Sequence, residues 1–278
     1  MGNDAEQVEK LHTLARRYCE KRIRFWYDEY RRVPNDGRAP DGYHYSVDAL
    51  NIFPRYLILE AILADIEALS PADDLKNLDD ARELLCASGR TADRLLTRNT
   101  TNDISVAAIS SEREAFCAYV TSSHDLDAEI EPLPFRRTLS AGEAHKMEAA
   151  LAARWDPEKY DYPLERAGFP EPPSDAIAIR EDAFDDEATQ MRLRQALNSI
   201  GVTRVFEIGP EHEWKREYDL EALEPIYSGD ESYWCDESLQ WQIFVSHESV
   251  VSIAGDVLID ALRTEWPEIE TARFAGWA

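Results

Sequence analysis

The segment ESLQWQIFVSHESVVSIAG, residues 237–255, contains the pattern that decides the fold. Its first half alternates apolar and polar side chains with a period of two, which is typical of a β-strand with one buried face. The apolar positions are Leu239, Trp241, Ile243 and Val245, and the polar ones are Gln240, Gln242 and Ser246. A second apolar run follows at 250–253. The segment therefore predicts a β-hairpin whose turn lies at 247–249.

Helices and a further strand surround this hairpin. An amphipathic helix is predicted over residues 257–265, ending before Pro267. Upstream, residues 187–200 have helical periodicity, and residues 202–208 form a strand-like run. Antiparallel strands followed by a helix predict a small antiparallel sheet with helices on one face.

The N-terminal part is predicted to be helical. Apolar side chains recur at intervals of three and four residues between Leu11 and Tyr30. A second helix is predicted over residues 53–69, with Pro54 in its first turn, where no backbone donor is lost. Two serine–glutamate pairs have the spacing of a capping box and predict further helix starts; they are Ser111 with Glu114 and Ser140 with Glu143.

Together these patterns predict an α+β protein, with a helical N-terminal part followed by a small antiparallel sheet with packed helices. Five prolines between 157 and 173 mark a connector. The predicted organisation is a mainly helical lobe over 1–155, a proline-rich connector over 156–184 and an α+β lobe over 185–278. A chain of 278 residues is compatible with two lobes or with one integrated domain.

The charge of the chain is strongly negative. It has 55 acidic and 30 basic residues, a net charge of -25, and only six of the basic residues are lysine. Such a surface repels phosphate polyanions and anionic lipids, so neither nucleic-acid binding nor membrane association is expected. The acidity fits either adaptation to a high-salt cytoplasm or attraction to a basic protein partner.

Cysteine spacing and hydrophobicity favour a cytoplasmic protein. The four cysteines form no CxxC pair, which argues against a zinc ribbon and a disulfide framework. The first residues, MGNDAEQVEK, lack a secretory pattern, and the longest apolar stretch, 56–69, is too short to span a bilayer.

Two polar clusters are the candidate binding site. The first contains Tyr233, Trp234, Asp236 and Glu237, and the second contains Ser246, His247 and Glu248. Strand pairing could bring the two clusters together at one edge of the sheet, where a histidine beside carboxylates can act as a general base. The alternative is that these residues only satisfy backbone groups in a hairpin turn.

Signatures of catalysis and of cofactor binding are missing from the sequence. It has no GxSxG or SxxK motif and no glycine-rich phosphate loop. His212, Cys235 and His247 could converge on zinc, but no two of them have ligand spacing within one element. No metal and no cofactor are therefore predicted, and a binding protein is favoured over an enzyme.

The first predicted helix is rich in basic residues, unlike the chain as a whole. Its basic and aromatic residues include a candidate basic patch, Arg17, Arg22, Arg24 and Trp26. Arginines interleaved with aromatic rings are used by grooves that bind single-stranded nucleic acid. The simpler explanation is that this helix docks on acidic neighbours within the same molecule. Nearby, Tyr43 to Tyr45 are predicted either to rim a pocket or to plug a helix junction.

Four stretches resemble a family of uncharacterised prokaryotic cytosolic proteins. They are TRNTTNDISVAAISSEREAFCAYV (97–120), PLPFRRTLSAGEA (132–144), VTRVFEIG (202–209) and ESYWCDESLQWQIFVSHESVVSIAG (231–255). The resemblance extends from about residue 95 to residue 266. It implies no activity and no site, but it suggests that both parts of the chain belong to one unit.

The favoured hypothesis is an acidic binding protein of the immunity or toxin-neutralising kind that docks a basic protein partner. Residues 205–278 contain seventeen acidic and four basic residues, a difference of thirteen negative charges. The alternative is a small hydrolase or transferase with a site near Asp236, His247 and Glu248. A third hypothesis is binding of a phosphorylated ligand at the basic first helix.

Overall fold

The computed structural model confirms the α+β class, with eight α-helices and seven strands in the part of the chain that it describes. The described residues are 2–34, 37–38, 44–71, 74–122, 124–126, 128–156, 160, 174–184, 186–209, 215–227 and 231–274. The chain divides into two compact units, residues 1–133 and residues 134–278.

The first unit is helical. Its helices are α1 (Gly2–Arg32), α2 (Val47–Glu67), α3 (Leu78–Thr91), α4 (Leu95–Arg98) and α5 (Asp103–Thr121). Helix α2 is the central one, because it is buried on nearly all sides and packs against both α1 and α5. The predicted helical character of this part of the chain is confirmed.

Two predicted helix starts are wrong. Helix α2 begins at Val47 rather than at residue 53, because the side chain of Ser46 accepts a hydrogen bond from the backbone N–H of Ala49. Pro54 therefore lies inside α2. Ser111 lies in the middle of α5, whose cap is Asn102.

The second unit contains a seven-stranded antiparallel sheet. The strands are β1 (Arg136–Thr138), β2 (Ala176–Arg180), β3 (Arg204–Ile208), β4 (Arg216–Asp219), β5 (Ser232–Cys235), β6 (Gln242–Ser246) and β7 (Val250–Ala254). Their order in the sheet is β1-β4-β3-β5-β6-β7-β2. The helices of this unit are α6 (Ala141–Arg154), α7 (Glu187–Ser199) and α8 (Asp256–Glu265). The predicted hairpin is confirmed as β6 and β7, and the strand predicted at 202–208 as β3.

Both faces of the sheet are covered. One face carries apolar side chains such as Trp234, Ile243 and Ile253, which pack in a single cluster with α7 and α8. The opposite face carries Phe206 and Cys235, which cluster with Leu151 of α6 and with Trp155. The prediction of helices on one face is therefore wrong, because α6 also belongs to this sheet.

Leu239 does not follow the predicted alternation. Trp241, Ile243 and Val245 lie in the same apolar cluster as expected, whereas Leu239 lies in the β5–β6 turn with a φ of 51° and packs on the opposite face. Strand β6 begins only at Gln242, so the period of two does not extend back to Leu239.

The boundary between the two units lies between residues 133 and 134, ahead of the proline-rich segment. Strand β1 pairs with β4, and the N–H of Leu139 donates to the carbonyl oxygen of Lys215 at 2.8 Å, so residues 134–155 group with the sheet. Of the predicted connector, residues 157–159, 161–173 and 185 lie outside the described residues, and β2 forms its later part. Among the described helices, none combines the length and the apolar character that crossing a membrane requires.

Candidate functional site

The turn between β6 and β7 is a tight three-residue loop built around Ser246. Ser246 pairs with Val250, so residues 247–249 form the loop, and Ser249 takes a φ of 59° to close it. The buried hydroxyl of Ser246 accepts the N–H of Glu248 at 3.3 Å and donates to the carbonyl oxygen of Val250 at 3.4 Å. This local hydrogen bonding fixes the loop and directs His247 outward.

His247 projects into solvent between two carboxylates. Its Nδ1 lies 2.6 Å from Oε1 of Glu231, and its Nε2 lies 3.4 Å from Oε1 of Glu248. The backbone N–H of His247 donates to the same Glu231 oxygen at 3.5 Å. The hydrogen bond to Glu231 raises the pKa of His247, and the negative charge of Glu248 acts in the same direction.

Residues from two other segments lie beside this turn. Glu181 follows β2, and its N–H donates to the carbonyl oxygen of Ser249 at 3.0 Å. The Glu181 carboxylate in turn accepts the N–H of Tyr227 at 2.5 Å. These bonds place an apolar pair, Ile226 and Tyr227, next to the turn, and each of the two is 36% exposed.

We call this region the hairpin end of the sheet, formed by Glu181, Ile226, Tyr227, Glu231, His247 and Glu248. Asp182 and Arg180, which lie 3.5 Å apart, flank it. The region thus contains four carboxylates, one arginine and one histidine, together with two partly exposed apolar side chains beside Glu181. It presents an excess of negative charge next to an apolar pair at the end of a paired sheet.

The first polar cluster lies elsewhere. In the β5–β6 pairing, Ser232 is opposite Val245 and Trp234 is opposite Ile243, so Asp236 is at the other end of the sheet from His247. Asp236 lies five positions after Glu231, which corresponds to about 16 Å at about 3.3 Å per residue. The structure therefore does not bring Asp236 together with His247 and Glu248.

Each member of the first cluster has its own local role. Trp234 is buried and donates its indole N–H to the hydroxyl of Tyr218 at 2.6 Å. Tyr233 points to the opposite face and stacks on Phe244, with ring centroids 4.7 Å apart. Asp236 accepts the N–H and the hydroxyl of Ser238 at 3.0 and 2.5 Å, while Glu237 is exposed.

General-base chemistry at His247 has little support from this geometry. Carboxylates face both ring nitrogens, and the side chain is 62% exposed, so no water-excluded space surrounds it. Among the described residues, no group of three or more His, Cys, Asp and Glu side chains could hold a metal ion. Cys235 is buried and His212 lies outside the described residues.

The candidate basic patch is largely engaged within the first unit. Glu112 of α5 is 1% exposed, and its Oε1 accepts hydrogen bonds from Arg22, Arg55 and the indole of Trp26 at 2.6, 2.7 and 3.0 Å. Both guanidinium groups also lie over the Trp26 ring. Arg22 and Trp26 are thus held by an intramolecular ion cluster.

The remaining members of the patch lie on the outer side of α1. Arg17 donates to the carbonyl oxygen of Glu131 at 2.6 Å, and Arg24 is exposed. Together with Lys21 and Phe25 they border a shallow surface depression that also contains Glu20 and Asp28. Mixed charges at this surface weaken the case for a phosphate-binding groove.

Tyr45 rims a small apolar cleft in the first unit. The cleft has a volume of about 130 Å³, and Tyr45 stacks on Phe53 at its mouth. Leu96, which is exposed, and Ser105 complete its wall. Tyr45 thus both lines this cleft and packs on α2, whereas Tyr43 lies outside the described residues.

Sequence reasoning missed the two acids that define these clusters. Glu231 precedes β5 and lies 16 residues from His247, so only strand pairing brings the two together. Glu112 stands in the sequence between Ser111 and Glu114, whose capping-box spacing predicts a helix start, whereas the structure places it in the middle of α5. The only available signal for Glu112 was a charged residue on the otherwise apolar side of α5.

Comparisons with protein-family models, with curated proteins and with solved structures find no match for this chain. The resemblance to prokaryotic cytosolic proteins stays a prediction. The function is therefore inferred from the site itself.

Proposed function

We propose that this chain is an acidic binding protein, of the immunity or toxin-neutralising kind, that docks a basic protein partner at the hairpin end. The observation that carries the proposal is the presence of two partly exposed apolar side chains, Ile226 and Tyr227, beside the carboxylates of the hairpin end. Protein interfaces commonly join an apolar centre, in which aromatic residues are enriched, to a polar rim. The excess of carboxylates selects a basic partner and speeds its approach.

The rigidity of this region supports the same function. Glu181, Glu231 and the 247–249 turn are tied together by backbone and side-chain hydrogen bonds, so the carboxylates are positioned before a partner arrives. A preorganised surface loses less conformational entropy on association than a mobile one.

The test compares two triple variants of the full chain. The first neutralises the hairpin end with Glu181→Gln, Glu231→Gln and Glu248→Gln. The matched control, Glu221→Gln, Glu237→Gln and Asp256→Asn, neutralises exposed acids outside the hairpin end. Each removes three negative charges, so both proteins carry -22 instead of -25.

Immobilised wild-type chain is expected to retain a specific basic protein at low salt and to release it at high salt. The hairpin-end variant should lose that protein and the control variant should keep it. Equal retention by the two variants would show that only bulk charge matters. Recovery of no specific protein at either salt concentration would also overturn the proposal.

A further inference from the structure

Two of the four thiols meet across a helix pair in the first unit. Cys86 lies in α3 and Cys117 lies in α5, 31 residues later. The Sγ of Cys86 is 3.8 Å from the carbonyl oxygen of Cys117, and the Sγ of Cys117 is 3.5 Å from the carbonyl oxygen of Cys86. Both cysteines are reduced.

Gly89 allows the two helices to come this close. It lies one helical turn after Cys86, on the side of α3 that faces α5. A Cβ at Gly89 would lie 2.5 Å from Cδ1 of Phe116 and 3.3 Å from the Sγ of Cys117. A larger residue would therefore push α5 away, and the reciprocal sulfur–carbonyl contacts would be lost.

The two thiols differ in access to solvent. Cys86 is 3% exposed, and burial together with the nearby Cys117 raises the pKa of Cys86 to about 11. Cys117 is only half-buried, so a dissolved oxidant reaches it first. This is the usual division between an attacking thiol at the surface and a resolving thiol behind it.

We propose that Cys86 and Cys117 form a redox modification site, in which a peroxide converts the contacting thiols into a reversible disulfide between α3 and α5. The Cys117 thiol gives up its proton and its sulfur attacks one peroxide oxygen; the O–O bond breaks, the leaving hydroxide takes up that proton and departs as water, and a sulfenic acid forms on Cys117. The Cys86 sulfur then displaces hydroxide from that sulfur, and a second water leaves. One peroxide is reduced to two waters while two thiols are oxidised to one disulfide.

The other two cysteines serve as internal controls. Cys19 and Cys235 are both fully buried, and burial raises the pKa of Cys235 to about 12. Cys19 lies in α1 and Cys235 lies in β5. They are expected to stay reduced while the Cys86–Cys117 pair reacts.

The test treats the full chain with hydrogen peroxide and counts thiols after denaturation. The count is expected to fall from four to two, with loss of two hydrogen masses and a peptide crosslink between residues 86 and 117. A dithiol reductant should restore all four. Cys117→Ser and Cys86→Ser should each abolish the crosslink, whereas Cys235→Ser should leave it intact.

The oxidised protein should also unfold at a higher temperature than the reduced one, because the bond closes a loop of 31 residues. Peroxide should not raise the unfolding temperature of Cys117→Ser. Any one of three results would overturn the proposal: four thiols that remain after peroxide treatment, a crosslink to Cys19 or Cys235, or a sulfinic acid on Cys117 without a crosslink.

Discussion

The Nδ1 of His247 lies 2.6 Å from Oε1 of Glu231, which joins the β6–β7 turn to the residue that precedes β5. The pair crosses the end of the sheet, since β5 and β6 are neighbours. It holds a titratable group between two carboxylates at the surface proposed for partner docking.

Glu231→Gln is expected to lower the pKa of His247 toward its ordinary value of 6.5. In the wild-type protein the pKa is raised, because the Glu231 carboxylate stabilises the imidazolium. Stability from the pair is therefore complete below the unfolded pKa and is lost as pH rises through the folded pKa. NMR titration of the His247 ring protons measures this pKa in the wild-type protein and in the variant. An unchanged pKa in the variant would contradict the role given to Glu231.

Partner docking at the hairpin end should strengthen as pH rises through the pKa of His247. Loss of the imidazolium proton makes this region more negative, and a basic partner is then attracted more strongly. Binding of the partner is measured at low salt across this pH range. His247→Gln should remove the pH dependence, and a dependence of the opposite sign would place the partner elsewhere.

Glu112→Gln should destabilise the first unit by about 3 kcal/mol, because it leaves two guanidinium groups and an indole N–H facing a neutral amide in a mostly buried site. The control is Glu114→Gln on the same helix, where the side chain is exposed. Urea unfolding measures the free energy of unfolding of both variants. Equal stabilities would mean that the Glu112 cluster contributes nothing beyond surface charge.

Tyr218→Phe should destabilise the second unit by about 2 kcal/mol, since the buried indole N–H of Trp234 loses its acceptor. Tyr27→Phe is the matched change at a tyrosine that is 44% exposed and should be nearly neutral. Thermal unfolding, monitored by tryptophan fluorescence, compares the stabilities of the two variants. A neutral Tyr218→Phe would indicate that water replaces the hydroxyl.

Gly255→Ala should destabilise the sheet by about 3 kcal/mol or more. Gly255 has a φ of 106°, and a Cβ there would clash with the carbonyl oxygen of Gln240. Gly142→Ala is the opposite case, because Gly142 is inside α6 with no atom near the added Cβ, and about 1 kcal/mol of stabilisation is expected. Chemical denaturation of both variants checks the difference in sign.

Structural elements that show a clear pattern among neighbouring residues were predicted well. The alternation of Trp241, Ile243 and Val245 identified β6, because a strand with one face toward a helix layer needs that period. The pattern failed at Leu239, where the backbone turns with a positive φ. Short strands such as β1 and β4 were missed, since three or four residues carry too little periodicity to recognise.

The candidate site was predicted only in part. Ser246, His247 and Glu248 do form one end of the sheet, but Asp236 and Glu237 lie at the other. The error arose from proximity along the chain: residues 231 to 236 span the whole length of β5, so its two ends face different surroundings.

By itself the sequence determined the α+β class, most of the longer helices, the β6–β7 hairpin and the excess of negative charge. These properties depend on local spacing and composition. Only the tertiary structure decided which side chains meet: Glu231 with His247, Glu112 with Arg22 and Arg55, and Cys86 with Cys117. Those partners are set by strand register and helix packing, which follow from burying whole apolar faces at once rather than from any short stretch of residues.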